Sequence, residues 1–171
     1  MVDINFSYDH ETLQQAARSF KLSGNLQLLS FLSASAFNSF KNLKFKRVYF
    51  PGKYSYSIAK ALALKLQPIL FKLTGKKFRF SMFKFEHGEY TVLYDALRPA
   101  KGIVAMLDLF DFDESWGGYT SFMKGGEELF RVVAKQNALT IINQSGLRSF
   151  TKYVNHHATH PRIFLYCVQQ K

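Results

Sequence analysis

His87, Gly88 and Glu89 place a histidine and an acid two residues apart. On a strand that spacing aims both side chains at one face. A histidine from a second strand then completes a three-ligand metal site with coordination positions left open. His156, His157 and His160 are the nearby histidine cluster, so His87, Glu89 and His156 form one candidate metal set. Asp111, Asp113 and Glu114 offer oxygen ligands to a hard cation, although three acids in a loop are ordinarily solvated. Cys167 is the one cysteine and lies in an apolar stretch, a poor place for a nucleophile. A single cysteine also excludes an intramolecular disulfide and a cysteine-rich zinc site. No Ser/His/Asp or Cys/His arrangement stands out. No Gly-rich phosphate loop is present, since Gly117-Gly118 and Gly125-Gly126 read as hairpin turns. Residue types alone therefore nominate no catalytic residue.

A second kind of chemistry is spread over the first half. From Thr12 to Phe85 there is no Asp or Glu but there are 14 Lys and Arg, whereas from Glu86 onward nine acids balance nine bases. The +11 net charge thus resides in the first half. Such a surface repels itself unless it meets a polyanion or counterions. Aromatics are interleaved with these cations: Lys44, Phe45, Lys46, Arg47 and Tyr49, then Lys53, Tyr54 and Tyr56, then Lys76, Lys77, Phe78, Arg79 and Phe80. Cations neutralise phosphates while exposed rings stack on unpaired bases. Lys44, Lys46, Arg47, Lys53, Lys76, Lys77 and Arg79 are the candidate polyanion-binding residues, with nucleic acid as the first partner to consider and an acidic protein as another. Phe78 and Phe80 are expected in the core.

The elements that position these residues change character along the chain. Residues 9–21 read as a helix with Asp9 as N-cap and Gly24 beyond its end. Residues 26–40 read as a second, mostly buried helix. Residues 43–50 suit a strand ended by Pro51-Gly52. Ile58, Leu62, Leu66, Ile69 and Leu73 recur at helical spacing, with a kink expected at Pro68 and a stop at Gly75. Short strands then follow at 77–85, 90–94, 103–110, 119–123, 128–133, 139–143, 149–154 and 163–168, broken by Gly, Asp, Asn or Ser. Many short strands at close spacing indicate a sandwich or jelly roll rather than a βαβ sheet. The 171 residues suit one domain, 1–171, with a basic, mostly helical support region at 1–76 and a strand-rich core at 77–171. The first residues lack the basic start and apolar stretch of a signal peptide, and the most apolar segment, residues 26–37, is too short to cross a bilayer. A cytoplasmic protein without membrane contact is expected.

The second half resembles the double-stranded β-helix of the 2-oxoglutarate/Fe(II) oxygenases, in particular the prolyl-hydroxylase-like branch. Gly88-Glu89-Tyr90 is similar to the turn leading into that family's metal-bearing strand. The apolar run 103–110, the acids Asp111 and Asp113 and then Trp116-Gly117-Gly118 are similar to its apolar strand, acidic loop and Gly-Gly turn. Residues 137–142 resemble its Asn-x-Leu strand, and residues 149–154 followed by Arg162 resemble its closing pair.

The resemblance implies an α+β fold, a jelly roll braced by N-terminal helices, with Fe(II) and 2-oxoglutarate as cofactors. It places the three iron ligands at Tyr94, Ala96 and Thr151, none of which keeps the family's His or acid, and it assigns Arg162 to the 2-oxoglutarate carboxylate. Two readings follow. One is an oxygenase-like domain that has lost its metal site, holds no cofactor and binds a polyanionic partner. The alternative is an active 2-oxoglutarate-dependent hydroxylase of a protein or nucleic acid, with iron held in another register by His87, Glu89 and His156.

Overall fold

The computed structural model describes residues 8–41, 48–50, 52–58, 60–92 and 102–170. The chain opens with α1 (His10–Ser23), whose Asp9 carboxylate accepts the Thr12 N–H at 2.8 Å. Gly24 ends it at φ +72°, donating to the Phe20 carbonyl. Leu13, Ala16 and Phe20, at helical spacing, are its buried face.

The expected second helix is in fact two elements. Asn25–Leu28 is β1 and Ala34–Lys41 is α2, with Ser30 at φ +48° in the turn between them. Apolar residues on more than one face of the segment 26–40 reflect this strand-then-helix change of period. Val48–Phe50 is β2 and Tyr54–Ile58 is β3. The third helix, α3 (Lys60–Thr74), continues through Pro68, whose ring is exposed, and Leu66, Ile69, Leu70 and Leu73 are buried.

Seven further strands follow: β4 (Phe78–Phe85), β5 (Ile103–Asp108), β6 (Thr120–Lys124), β7 (Glu127–Val132), β8 (Ala138–Asn143), β9 (Arg148–Thr151) and β10 (Arg162–Gln169). Every pairing is antiparallel. The large sheet runs β1-β8-β5-β10-β4-β3-β2 and the small one β7-β6-β9. Residues before 77 therefore supply both edges of the large sheet as well as the helices.

Alternation along the strands assigns each side chain to a layer. Phe78, Phe80 and Met82 of β4, Ala105 and Leu107 of β5, and Leu165 and Cys167 of β10 pack with α1, α2 and α3 in one core. Phe83, Phe85, Val104, Met106, Ile142 and Phe164 point the other way and meet Phe122 and Val132 of the small sheet in a second core. Phe78 and Phe80 are thus core residues, as expected. Cys167 is fully buried against the helical layer, and burial pushes its thiol pKa up, leaving it unreactive.

The Gly125-Gly126 pair is the β6–β7 hairpin turn. Gly117-Gly118 is not a hairpin. It ends a 3-10 turn (Glu114–Trp116) and presses against residues 152–154. A Cβ at Gly117 would collide with the Tyr153 carbonyl, and one at Gly118 would meet Phe112 at 2.7 Å. Glycine is required there for close approach as well as for the positive φ.

Candidate functional site: the space between the two sheets

Residues from both sheets surround a narrow cavity of about 40 Å³, lined among others by Phe85, Thr91, Thr120, Thr151, Phe164 and Tyr166. One wall is the segment that enters the expected metal-bearing strand. Gly88 donates to the Val154 carbonyl and Val154 to the Glu89 carbonyl. Thr91 donates its N–H to the Thr151 carbonyl at 3.1 Å, and its hydroxyl accepts the Thr151 N–H at 2.7 Å. Residues 88–91 therefore run beside the end of β9, the strand that carries the expected distal ligand position. Tyr94 and Ala96 lie outside the described residues. Thr151 is buried, with its hydroxyl oxygen 3.5 Å from that of Thr120.

Arg162 faces this interior because it shares a strand face with Phe164 and Tyr166. Asp108 faces it because it shares one with Val104 and Met106. Both residues are 1% exposed. Arg162 Nε donates to Asp108 Oδ1 at 3.0 Å, and Nη1 donates to the Gly118 carbonyl at 2.5 Å and the Thr120 hydroxyl at 3.0 Å. Nη2 lies 3.0 Å from the same Asp108 oxygen, off the line of a hydrogen bond. The guanidinium carbon stands 4.4 Å over the Phe164 ring. One side chain thus ties β10 and β5 to β6 across the two sheets. Burial raises the Asp108 pKa above the ordinary carboxylate value, and the Arg162 charge opposes that rise.

The family resemblance implies an external carboxylate for Arg162, whereas the carboxylate beside it in the structure is that of Asp108, a residue not among the candidates. A signal was present: Asp108 is the one charged residue in the apolar run 103–110. An acid within a buried strand requires a partner, and strand alternation turns it towards Arg162.

The candidate metal set is not assembled. His87 is exposed, with Nε2 3.5 Å from the Tyr153 hydroxyl. Glu89 is buried and turns back to accept the Glu86 N–H at 2.7 Å. His156 is exposed and stacks on His157, ring centres 3.9 Å apart. The spacing failed because residues 86–89 form a turn rather than regular strand, so alternation does not align His87 with Glu89. His160 sits among Phe110, Phe112 and Trp116, with ring centres 5.4–5.7 Å away. Among the described residues no three His, Cys, Asp or Glu side chains converge on a point that could hold a metal ion.

The acidic loop is spent on structure. Asp111 accepts the Gln136 N–H, Asp113 caps the 3-10 turn through the Ser115 N–H, and Glu114 pairs with Arg131. The Ser115 hydrogen bonds hold the Asp113 carboxyl below the usual range.

Among the described residues, those at the expected Fe(II) and 2-oxoglutarate positions do not fit either group. Ala96 carries no donor atom and Thr151 offers only a hydroxyl already turned to Thr120. The guanidinium expected to take the co-substrate is closed by an internal carboxylate.

Of the candidate polyanion-binding residues, Lys44, Lys46 and Arg47 lie outside the described residues. Lys53 is half-buried, while Lys76, Lys77 and Arg79 are exposed around the turn from α3 to β4, with Lys72 on the last turn of the helix. That turn is pinned on both sides. Gln67 donates to the Lys76 carbonyl and accepts the Phe78 N–H, and Gln170 bonds the carbonyls of Lys77 and Phe78. Four cations are thus displayed on fixed backbone. Among the described residues no helix is long and apolar enough to cross a membrane.

No protein-family model and no curated protein matches the chain. Solved structures do. A 2OG-Fe(II) oxygenase-family oxidoreductase from Burkholderia pseudomallei matches over 99% of this chain and 95% of its own at TM-score 0.63 and 11% identity. A prolyl-4-hydroxylase from Pseudomonas putida matches over 93% and 98% at TM-score 0.65 and 12% identity. The non-heme alpha-ketoglutarate-dependent epimerase SnoN from nogalamycin biosynthesis matches over 95% and 84% at TM-score 0.62 and 13% identity. The fold is therefore the double-stranded β-helix of the 2-oxoglutarate oxygenases, braced by helices on one face.

Proposed function

We propose that this chain is a non-catalytic double-stranded β-helix that binds a phosphate-bearing polyanion, with nucleic acid as the partner, through its basic first half. The observation that carries the loss of chemistry is the buried Arg162–Asp108 pair. The group expected to anchor 2-oxoglutarate is paired from within, beside a cavity lined by threonines and aromatics. The structural neighbours named for oxygenase chemistry share the fold, and a shared fold does not carry activity with it. The acid-free run from Thr12 to Phe85 supports the polyanion, and the pinned turn bearing Lys72, Lys76, Lys77 and Arg79 supports a defined binding surface.

The test is a salt titration of binding to a fluorescent single-stranded RNA. Affinity is expected to fall steeply with salt. Lys76→Glu/Lys77→Glu/Arg79→Glu should weaken binding and lower the slope of log K against log salt by about 0.7 for each phosphate no longer neutralised. Lys44→Glu/Lys46→Glu/Arg47→Glu should act in the same direction. Affinity and slope unchanged in both triple variants would remove the basic half from the account.

A further inference from the structure

We propose that Asp108 is a built-in ligand: its carboxylate occupies a small-carboxylate site offered by the Arg162 guanidinium, which the Thr120 hydroxyl and the Gly118 carbonyl hold in place. The inference rests on the non-catalytic reading and gives it an atomic cause.

The guanidinium is held by groups other than Asp108. Arg162 comes from β10, the Thr120 hydroxyl from β6 and the Gly118 carbonyl from the loop before β6. Phe164 lies under the guanidinium and fixes its plane. These groups hold Nη1, leaving Nε and Nη2 to face Asp108, and both lie 3.0 Å from one carboxylate oxygen. The second oxygen, Oδ2, is buried with no hydrogen-bond partner among the described residues. The carboxylate is thus held by one atom, which fits an acid delivered on a strand rather than one free to turn both oxygens to a planar fork. Thr120 and Phe164 also line the neighbouring 40 Å³ cavity. Taking away the Asp108 carboxylate would leave Nε and Nη2 of Arg162 facing a void of that carboxylate's own size, suited to a small carboxylate.

The test is size-matched rescue. Truncation to alanine removes the carboxylate but keeps Cβ, a void for formate. Truncation to glycine removes the methylene as well, a void for acetate. Melting temperatures of the wild type, Asp108→Ala, Asp108→Gly and Asp108→Asn are read against formate, acetate, 2-oxoglutarate and chloride at matched ionic strength. Formate should raise the alanine variant saturably by about 5 °C at high occupancy, and acetate should do the same for the glycine variant. The wild type and Asp108→Asn should respond no more than they do to chloride. Truncated variants that fold yet respond only as to chloride would overturn the built-in ligand while leaving the non-catalytic reading intact. Stabilisation of the wild type by 2-oxoglutarate would overturn both, because Asp108 would then be displaceable.

If neither truncation folds, Asp108→Asn, Arg162→Gln and the double variant are compared by urea unfolding. A double variant no less stable than the worse single one supports the proposal, and additive losses overturn it.

Discussion

At the scale of single residues, the Arg162–Asp108 pair has a lopsided energy. Taking two charges out of water costs several kcal/mol per ion, which their attraction offsets only when the remaining donors are also satisfied. Gly118 and Thr120 take the Nη1 donors while Nη2 and Asp108 Oδ2 have no hydrogen-bond partner among the described residues, so the pair is only partly compensated, and either partner alone is worse off. Arg162→Met should therefore lose about 3–5 kcal/mol in urea unfolding by stranding the Asp108 carboxyl. Arg162→Met with Asp108→Leu should recover most of that loss. A single variant within about 1 kcal/mol of wild type would mean the pair is not buried as described.

At the scale of elements, the join between the helical layer and the strands depends on Asn137. It sits at φ +56°, a conformation asparagine tolerates better than most residues. Its side chain accepts the Leu32 N–H at 2.9 Å and donates to the Leu32 carbonyl at 2.8 Å. Its own backbone bonds Phe31 and Asp108, so the β1–α2 turn is latched to the end of β5. Asn137→Ala should cost about 1–3 kcal/mol by equilibrium unfolding, from two missing hydrogen bonds and a strained backbone. Asn137→Gly, which restores the backbone freedom alone, should recover only part of it.

Elements whose residues keep one period were legible in the sequence. α1 was marked by Asp9 and Gly24, β4 by alternating phenylalanines, and β5, β8 and β10 by short apolar runs. The segment 26–40 was not, because a four-residue strand followed by an eight-residue helix blends two periods within a short stretch. β3 was missed because Tyr54 and Tyr56 read equally well as stacking residues, whereas Tyr54 is buried on Phe83 and Phe85. The wiring of the candidate site was not legible in the sequence. Thr151 and Arg162 were nominated through the family resemblance, while the partner of Arg162 comes from a strand 54 residues earlier, a pairing fixed only by sheet order.

At the scale of the molecule, the double-stranded β-helix closes around an interior in which Arg162 pairs with Asp108 and Thr120, and the charge that could engage a partner lies in the half that builds the helices and the sheet edges. Retention of the fold without its cofactors is the central claim. It is tested most directly by anaerobic calorimetric titration of the metal-stripped protein with Fe(II), with and without 2-oxoglutarate. No saturable heat that strengthens with 2-oxoglutarate is expected. Stoichiometric Fe(II) binding that tightens when 2-oxoglutarate is present would contradict the account and return the chain to the active hydroxylases.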